Sequence, residues 1–128
     1  MTDHKSAEDY LERILMLAET GEPVHAVDIA NSFGYSKPSV SIALMKLEKR
    51  GMVLVNDRHQ LSLTAAGKAI AQKIYERHKV LGALFVALGV TKDVAFDDAC
   101  RVEHDISDET FEALKKHYQE KVQKGEGK

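Results

Sequence analysis

The stretch from Val24 to Leu63 restricts the fold more than any other part of the chain. A short helical pattern, Val27, Ile29, Ala30 and Phe33, closes at the turn residue Gly34. A second helix opens on Ser36 with Pro38 in its first turn, where a missing amide hydrogen costs nothing. Val40, Ile42, Ala43, Leu44 and Leu47 carry this helix to Arg50 before Gly51. Two helices joined by a short glycine-containing turn are the signature of a helix-turn-helix. Met52-Val53-Leu54-Val55 and Gln60-Leu61-Ser62-Leu63 then read as two short strands around the polar turn Asn56-Asp57-Arg58-His59. The stretch predicts a winged helix-turn-helix.

Charge points the same way once it is read by segment. The whole chain has a net charge of −2, which argues against a uniformly basic coat for nucleic acid. From Ser36 to His59, however, five bases (Lys37, Lys46, Lys49, Arg50, Arg58) face two acids (Glu48, Asp57). Such a patch supplies the salt-dependent phosphate term of DNA binding, and small polar or basic residues opening the second helix suit base edges and phosphates. Ser36, Lys37, Ser39 and Ser41 by position, and Lys46 and Arg58 by charge, are the candidate DNA contacts. The other use of such a fold is a protein contact.

The flanking segments extend a mainly α-helical chain. Ser6 is placed to cap a first helix carrying Tyr10, Leu11, Ile14 and Leu15 up to Gly21. Thr64 is placed to cap a long helix from Ala65 to Leu88, whose apolar end, Val80 to Val90, suits a dimer interface. From Lys92 to Glu112 there are eight acids and two bases, a composition unfit to face DNA. Thr91 or Asp93 caps a helix that stops near Ile106, and Ser107 starts another, Thr110 to about Gln123, with Phe111, Leu114 and Tyr118 as its stripe. The tail from Lys124 to Lys128 is expected to be disordered. With 128 residues and 44% apolar content, one core and a small second unit are affordable. The expected division is a winged DNA-binding domain over residues 1–73 and an α-helical metal-binding and dimerisation domain over 74–128. A lone cysteine, a polar start and no apolar run near the ~20 residues of a membrane span lead to the expectation of a soluble cytoplasmic protein.

Three groups of side chains carry possible chemistry. Cys100, Glu103 and His104 fall at i, i+3 and i+4, so on a helix a thiol, a carboxylate and an imidazole share one face. That set suits a divalent transition metal, or consists of a core cysteine beside surface polar residues. Asp9 and Glu12 form a second carboxylate pair at i, i+3, or complement the dipole of a first helical turn. His78 stands alone in the long helix.

The order of these segments resembles the metal-dependent repressors of the diphtheria toxin repressor family, particularly the shorter manganese transport regulators. The likeness is carried by Glu8-Asp9-Tyr10-Leu11-Glu12, Ser36-Lys37-Pro38-Ser39-Val40-Ser41, Leu63-Thr64-Ala65-Ala66-Gly67-Lys68, Arg77-His78 and Ala99-Cys100-Arg101-Val102-Glu103-His104 with Ile106-Ser107. The resemblance implies a homodimer on palindromic operator DNA. It places metal ligands at Asp9, Glu12, His78, Cys100, Glu103 and His104, with up to two metals per subunit. Asp9, Cys100, Glu103 and His104 would form one site; Glu12 and His78, sharing Glu103 and the Cys100 carbonyl, would form the other. Cys100 departs from the manganese type, which has a carboxylate there, and matches the iron type. Asp9 departs from the iron type, which has methionine. Gly82 and Phe96 stand where the iron type has the acid and histidine of an ancillary site. The sequence also stops before the SH3-like domain of the longer iron-type members.

The implied metal is Fe(II) or Mn(II), with Zn(II) or Co(II) able to bind in vitro. The implied activity is metal-dependent repression of metal-uptake genes. Other readings are a winged-helix regulator sensing an organic ligand or oxidation of Cys100, and a small metallohydrolase. The sequence offers the hydrolase no distinct general base, so no enzyme is expected.

Overall fold

The computed structural model describes the backbone of residues 3–123 and the side chains of residues 6–122. The tail 124–128, for which disorder was expected, and the first two residues of the polar start lie outside the described residues. The chain divides into two compact units, Met1–Lys73 and Ile74–Lys128.

The first unit is the winged helix-turn-helix that the sequence predicts. Helix α1 spans Asp3–Ala18, α2 Ala26–Phe33 and α3 Lys37–Lys49. Strands β1 (Val53–Val55) and β2 (Leu61–Leu63) pair antiparallel with Val53 opposite Leu63 and Val55 opposite Leu61. Val24 adds an isolated bridge to Leu61, so the pattern that begins at Val24 enters the sheet before α2 starts. Helix α1 begins earlier than expected, which makes Ser6 a helical residue and not its cap. Ser36 does cap α3: its Oγ accepts from the Ser39 amide at 3.3 Å. Leu11, Ile14, Ile29, Val40, Leu44, Leu47, Val53 and Ala71 make one core. Tyr10 packs edge-on to Phe33, with ring centroids 5.5 Å apart, and Phe33 stacks on Tyr35 at 5.0 Å. Burial, with Tyr35 nearby, pushes the Tyr10 phenol up.

One hydroxyl ties the wing to helix α4, Ala65–Ala87. Thr64 Oγ1 donates to the Gly51 carbonyl at 2.7 Å and accepts from the Gly67 amide at 3.0 Å, capping the helix while holding the chain entering β1. Here α4 comes so close that a Cβ on Gly67 would meet the Met52 carbonyl oxygen at 2.1 Å. Only glycine fits without moving backbone.

The second unit contains the rest of α4, α5 (Lys92–Val102), α6 (Asp108–His117) and a π-helical turn, Tyr118–Gln123. Two expectations change. The last helix does not run unbroken from Thr110, because its end widens into the π turn. Helix α5 stops at Val102 with Glu103 as its C-cap, short of Ile106. Arg77 uses the carbonyls released at that early stop: it donates to Glu103 O at 3.0 Å and Ile106 O at 2.8 Å. Its guanidinium also pairs with Asp108 and lies 5.3 Å from the centroid of the Phe111 ring. No described helix is long and apolar enough to cross a membrane.

Candidate metal centre and nucleic-acid face

Glu103 is the centre of the donor cluster in the second unit. Its carboxylate is wholly buried, with Oε1 2.9 Å from Nδ1 of His78 and Oε2 3.5 Å from Nε2 of His104. The two imidazoles therefore engage different oxygens of one carboxylate. Burying a carboxylate is costly unless positive charge or donors compensate it. A divalent cation held jointly by imidazole and carboxylate supplies that compensation, and 2.9 Å is close to the ~3 Å between neighbouring ligands at ~2.1 Å from an octahedral ion. The donor set therefore fits a divalent metal. Because α5 ends at Glu103, the grouping depends on the turn beyond the helix as well as on helical spacing. Cys100, half-buried one turn earlier, is not in a disulfide.

Phe96 and Gly82 shape the surroundings of His78. The Phe96 ring lies 5.3 Å from the imidazole, centroid to centroid, and a Cβ on Gly82 would sit 2.2 Å from Phe96 Cε1. The phenyl ring fills the space that a side chain at position 82 would take. Sequence reading noted both residues only as departures from a family pattern. Arg77 appears there only in the Arg77-His78 pair, with no role, because its role rests on the backbone carbonyls described above.

In the first unit, Asp9 and Glu12 lie one turn apart on α1, Glu12 buried and Asp9 half-buried. All six candidate DNA contacts, Ser36, Lys37, Ser39, Ser41, Lys46 and Arg58, are exposed. Ser36 and Ser39 are also engaged in the α3 cap, with their hydroxyl oxygens 2.8 Å apart. Arg58 sits at the wing tip, where Asn56 Oδ1 accepts from the amides of Arg58 and Gln60, each at 2.9 Å. One expectation fails on α3: Ile42, read as part of its apolar stripe, points away from the core and is 55% exposed.

The fold is that of a winged-helix DNA-binding regulator, and its second unit carries a donor cluster whose chemistry suits a divalent metal. Sequence profiles make the class specific. The profile for the N-terminal DNA-binding domain of iron-dependent repressors matches residues 4–61, and that for their metal-binding and dimerisation domain matches residues 64–127. The chain belongs to the iron-dependent repressor family, that of the diphtheria toxin repressor and the manganese-type regulators, and is a metal-dependent transcriptional repressor.

Among its relatives, the transcriptional regulator MntR of Escherichia coli is 35% identical over 109 residues, covering 84% of this chain and 70% of that one. The HTH-type transcriptional regulator MntR of Bacillus subtilis is 31% identical over 102 residues, covering 80% and 72%. Among solved structures, the manganese regulator SloR superposes with a TM-score of 0.78 at 32% identity, covering 93% of this chain and 55% of that one. A manganese-dependent transcriptional repressor in complex with manganese superposes with a TM-score of 0.79 at 29% identity, covering 88% and 52%. The chain thus spans about half the length of these solved structures.

Proposed function

We propose that the protein is a cytoplasmic, homodimeric repressor of metal-uptake genes, activated by Fe(II) or Mn(II) and acting at palindromic operator DNA. Residues 1–73 serve as its DNA-binding domain and residues 74–128 as its metal-binding and dimerisation domain. Asp9 and Glu12 from the first, with His78, Cys100, Glu103 and His104 from the second, supply ligands for up to two metals per subunit. The observation that carries this reading is the buried Glu103 carboxylate bracketed by His78 and His104.

The bound cation supplies positive charge to a cluster of carboxylates and a thiol that otherwise repel one another. Drawing ligands from both domains gives the cation a reason to favour the DNA-binding arrangement, because a ligand shifts an equilibrium only by its differential affinity. Carboxylate and imidazole donors suit Mn(II) and Fe(II), and the Cys100 thiolate tilts the site toward Fe(II), with Zn(II) and Co(II) as competitors in vitro. The names of the manganese-dependent relatives support Mn(II).

The test is a mobility-shift titration with anaerobic Mn(II), Fe(II), Co(II) and Zn(II). DNA binding is expected to require metal, to weaken as salt rises and to be lost in Glu103→Ala. Unchanged binding in excess chelator would defeat the metal-activation reading. Cys100→Glu is expected to shift the preference toward Mn(II); an unchanged order removes the thiol from the ligand set.

A further inference from the structure

We propose that Ile42 and Met45 form an apolar reading edge on α3 that fits the methyl groups of thymine in the major groove of the operator. The inference rests on the DNA-binding reading above and adds to it the chemistry of the bases that are read.

The buried side chains of α3 are Val40, Leu44 and Leu47. At 3.6 residues per turn, the opposite face carries Ile42, Met45 and Lys49. Ile42 and Met45 are each 55% exposed, so two large aliphatic side chains occupy the middle of the face turned away from the core. Polar residues stand beside them, Ser39 and Lys46 on one flank and Ser41 and Glu48 on the other. This reverses the usual order, in which the face opposite the core of a surface helix is its most polar.

Charge identifies the occupant. Lys37, Lys46, Lys49 and Arg50 accompany the stripe, and Glu48 is the single acid of α3. A polyanion with apolar features between its charged edges is the complement, and the major groove of DNA is such a surface: phosphates line it, and thymine alone among the bases presents a methyl group. Neither side chain donates a hydrogen bond, and the Met45 thioether is only a weak acceptor, so they form no strong bonds to the edges of guanine, adenine or cytosine. They gain by covering a methyl, and lose where they strip water from an unsatisfied polar edge.

The experiment selects duplexes from a randomised pool with the full Mn(II)-loaded chain, then replaces the thymines of the selected duplex one at a time by deoxyuridine, which lacks only the methyl. One or two thymines per protomer are expected to show an affinity loss of about fourfold each, the value for one buried methylene-sized group. The loss at those positions should vanish in Ile42→Ala or Met45→Ala. Both sites are exposed, so melting temperatures should not change. Ile42→Gln should alter the selected base at one position per protomer and leave the others alone.

Indifference to deoxyuridine throughout, or equal losses in wild type and both alanine variants, overturns the proposal. So does loss of the dimer in Ile42→Ala or Met45→Ala, which would mark the stripe as a contact between copies. A wild-type chain that selects no duplex with any metal defeats the DNA-binding reading itself. Selection without methyl dependence removes only the reading edge.

Discussion

Replacing Arg77 by methionine keeps most of the aliphatic stem and deletes the guanidinium that holds the turn after α5. The side chain is 6% exposed and donates to the carbonyls of Glu103 and Ile106 at 3.0 and 2.8 Å. A buried carbonyl deprived of its donor costs about 1–3 kcal/mol. The Ile106 bond is only part-buried, so the two together should cost about 3 kcal/mol. The ion pair adds little, because the Asp108 side chain is 69% exposed; surface pairs contribute below ~1 kcal/mol. Urea unfolding in chelator, at one fixed protein concentration because the protein dimerises, reads the difference. With a slope of about 1.5–2 kcal/mol per molar, the midpoint of Arg77→Met should fall by roughly 1.5–2 M, and that of Asp108→Asn by under ~0.7 M.

Mn(II) affinity gives a second readout with an informative sign. Deleting a positive charge removes Coulomb repulsion and should by that alone tighten cation binding. Binding weakened about tenfold, the ~1.4 kcal/mol equivalent, would instead show that Glu103 needs its backbone anchor. Equal midpoint shifts for the two variants, or tighter Mn(II) binding by Arg77→Met, would falsify the anchoring argument.

Three more outcomes follow from the geometry. Gly82→Ala sets a methyl against Phe96 and should destabilise the protein by about 1–3 kcal/mol; thermal melting should show partial rescue by Phe96→Leu, and strict additivity of the two changes would contradict the clash. Ser36→Ala removes the cap of α3 and should cost about 1 kcal/mol in denaturant unfolding, while Ser36→Thr should cost much less; equal losses would mean that the cap is not what matters. Lys46→Ala and Arg58→Ala should each lower the salt dependence of DNA binding by about one unit of slope. A weaker complex with unchanged slope would show that the side chain does not meet a phosphate.

Much of the first unit was legible because its boundaries are written in residues with local physical effects. Gly34, Ser36 with Pro38, and Gly51 punctuate the helix-turn-helix, and the polar run from Asn56 to His59 separates two apolar strands. Local signals failed where the answer lay across the fold. Ile42 is a different case: the helical repeat already turns it away from the face shared by Val40, Leu44 and Leu47, and it was the aliphatic character of the run that hid this. Helix α5 carries no glycine or proline to announce its stop at Val102. That stop is stabilised by Arg77, 26 residues away from the carbonyl it binds. The approach of His78 to Glu103, 25 positions apart, was within reach of family resemblance and not of spacing.

Thr64 has a bearing on how quickly the first unit assembles. Its hydroxyl joins Gly51, 13 residues upstream, to Gly67, three residues downstream. The loop to be closed is short, so its entropy is small and the bond can form before distant elements meet. The base of the wing and the first turn of α4 are therefore expected to form early in folding, whereas Val24 must return over a much longer path to reach Leu61. Thr64→Val should accordingly slow refolding by about as much as it destabilises, whereas Val24→Ala should chiefly hasten unfolding.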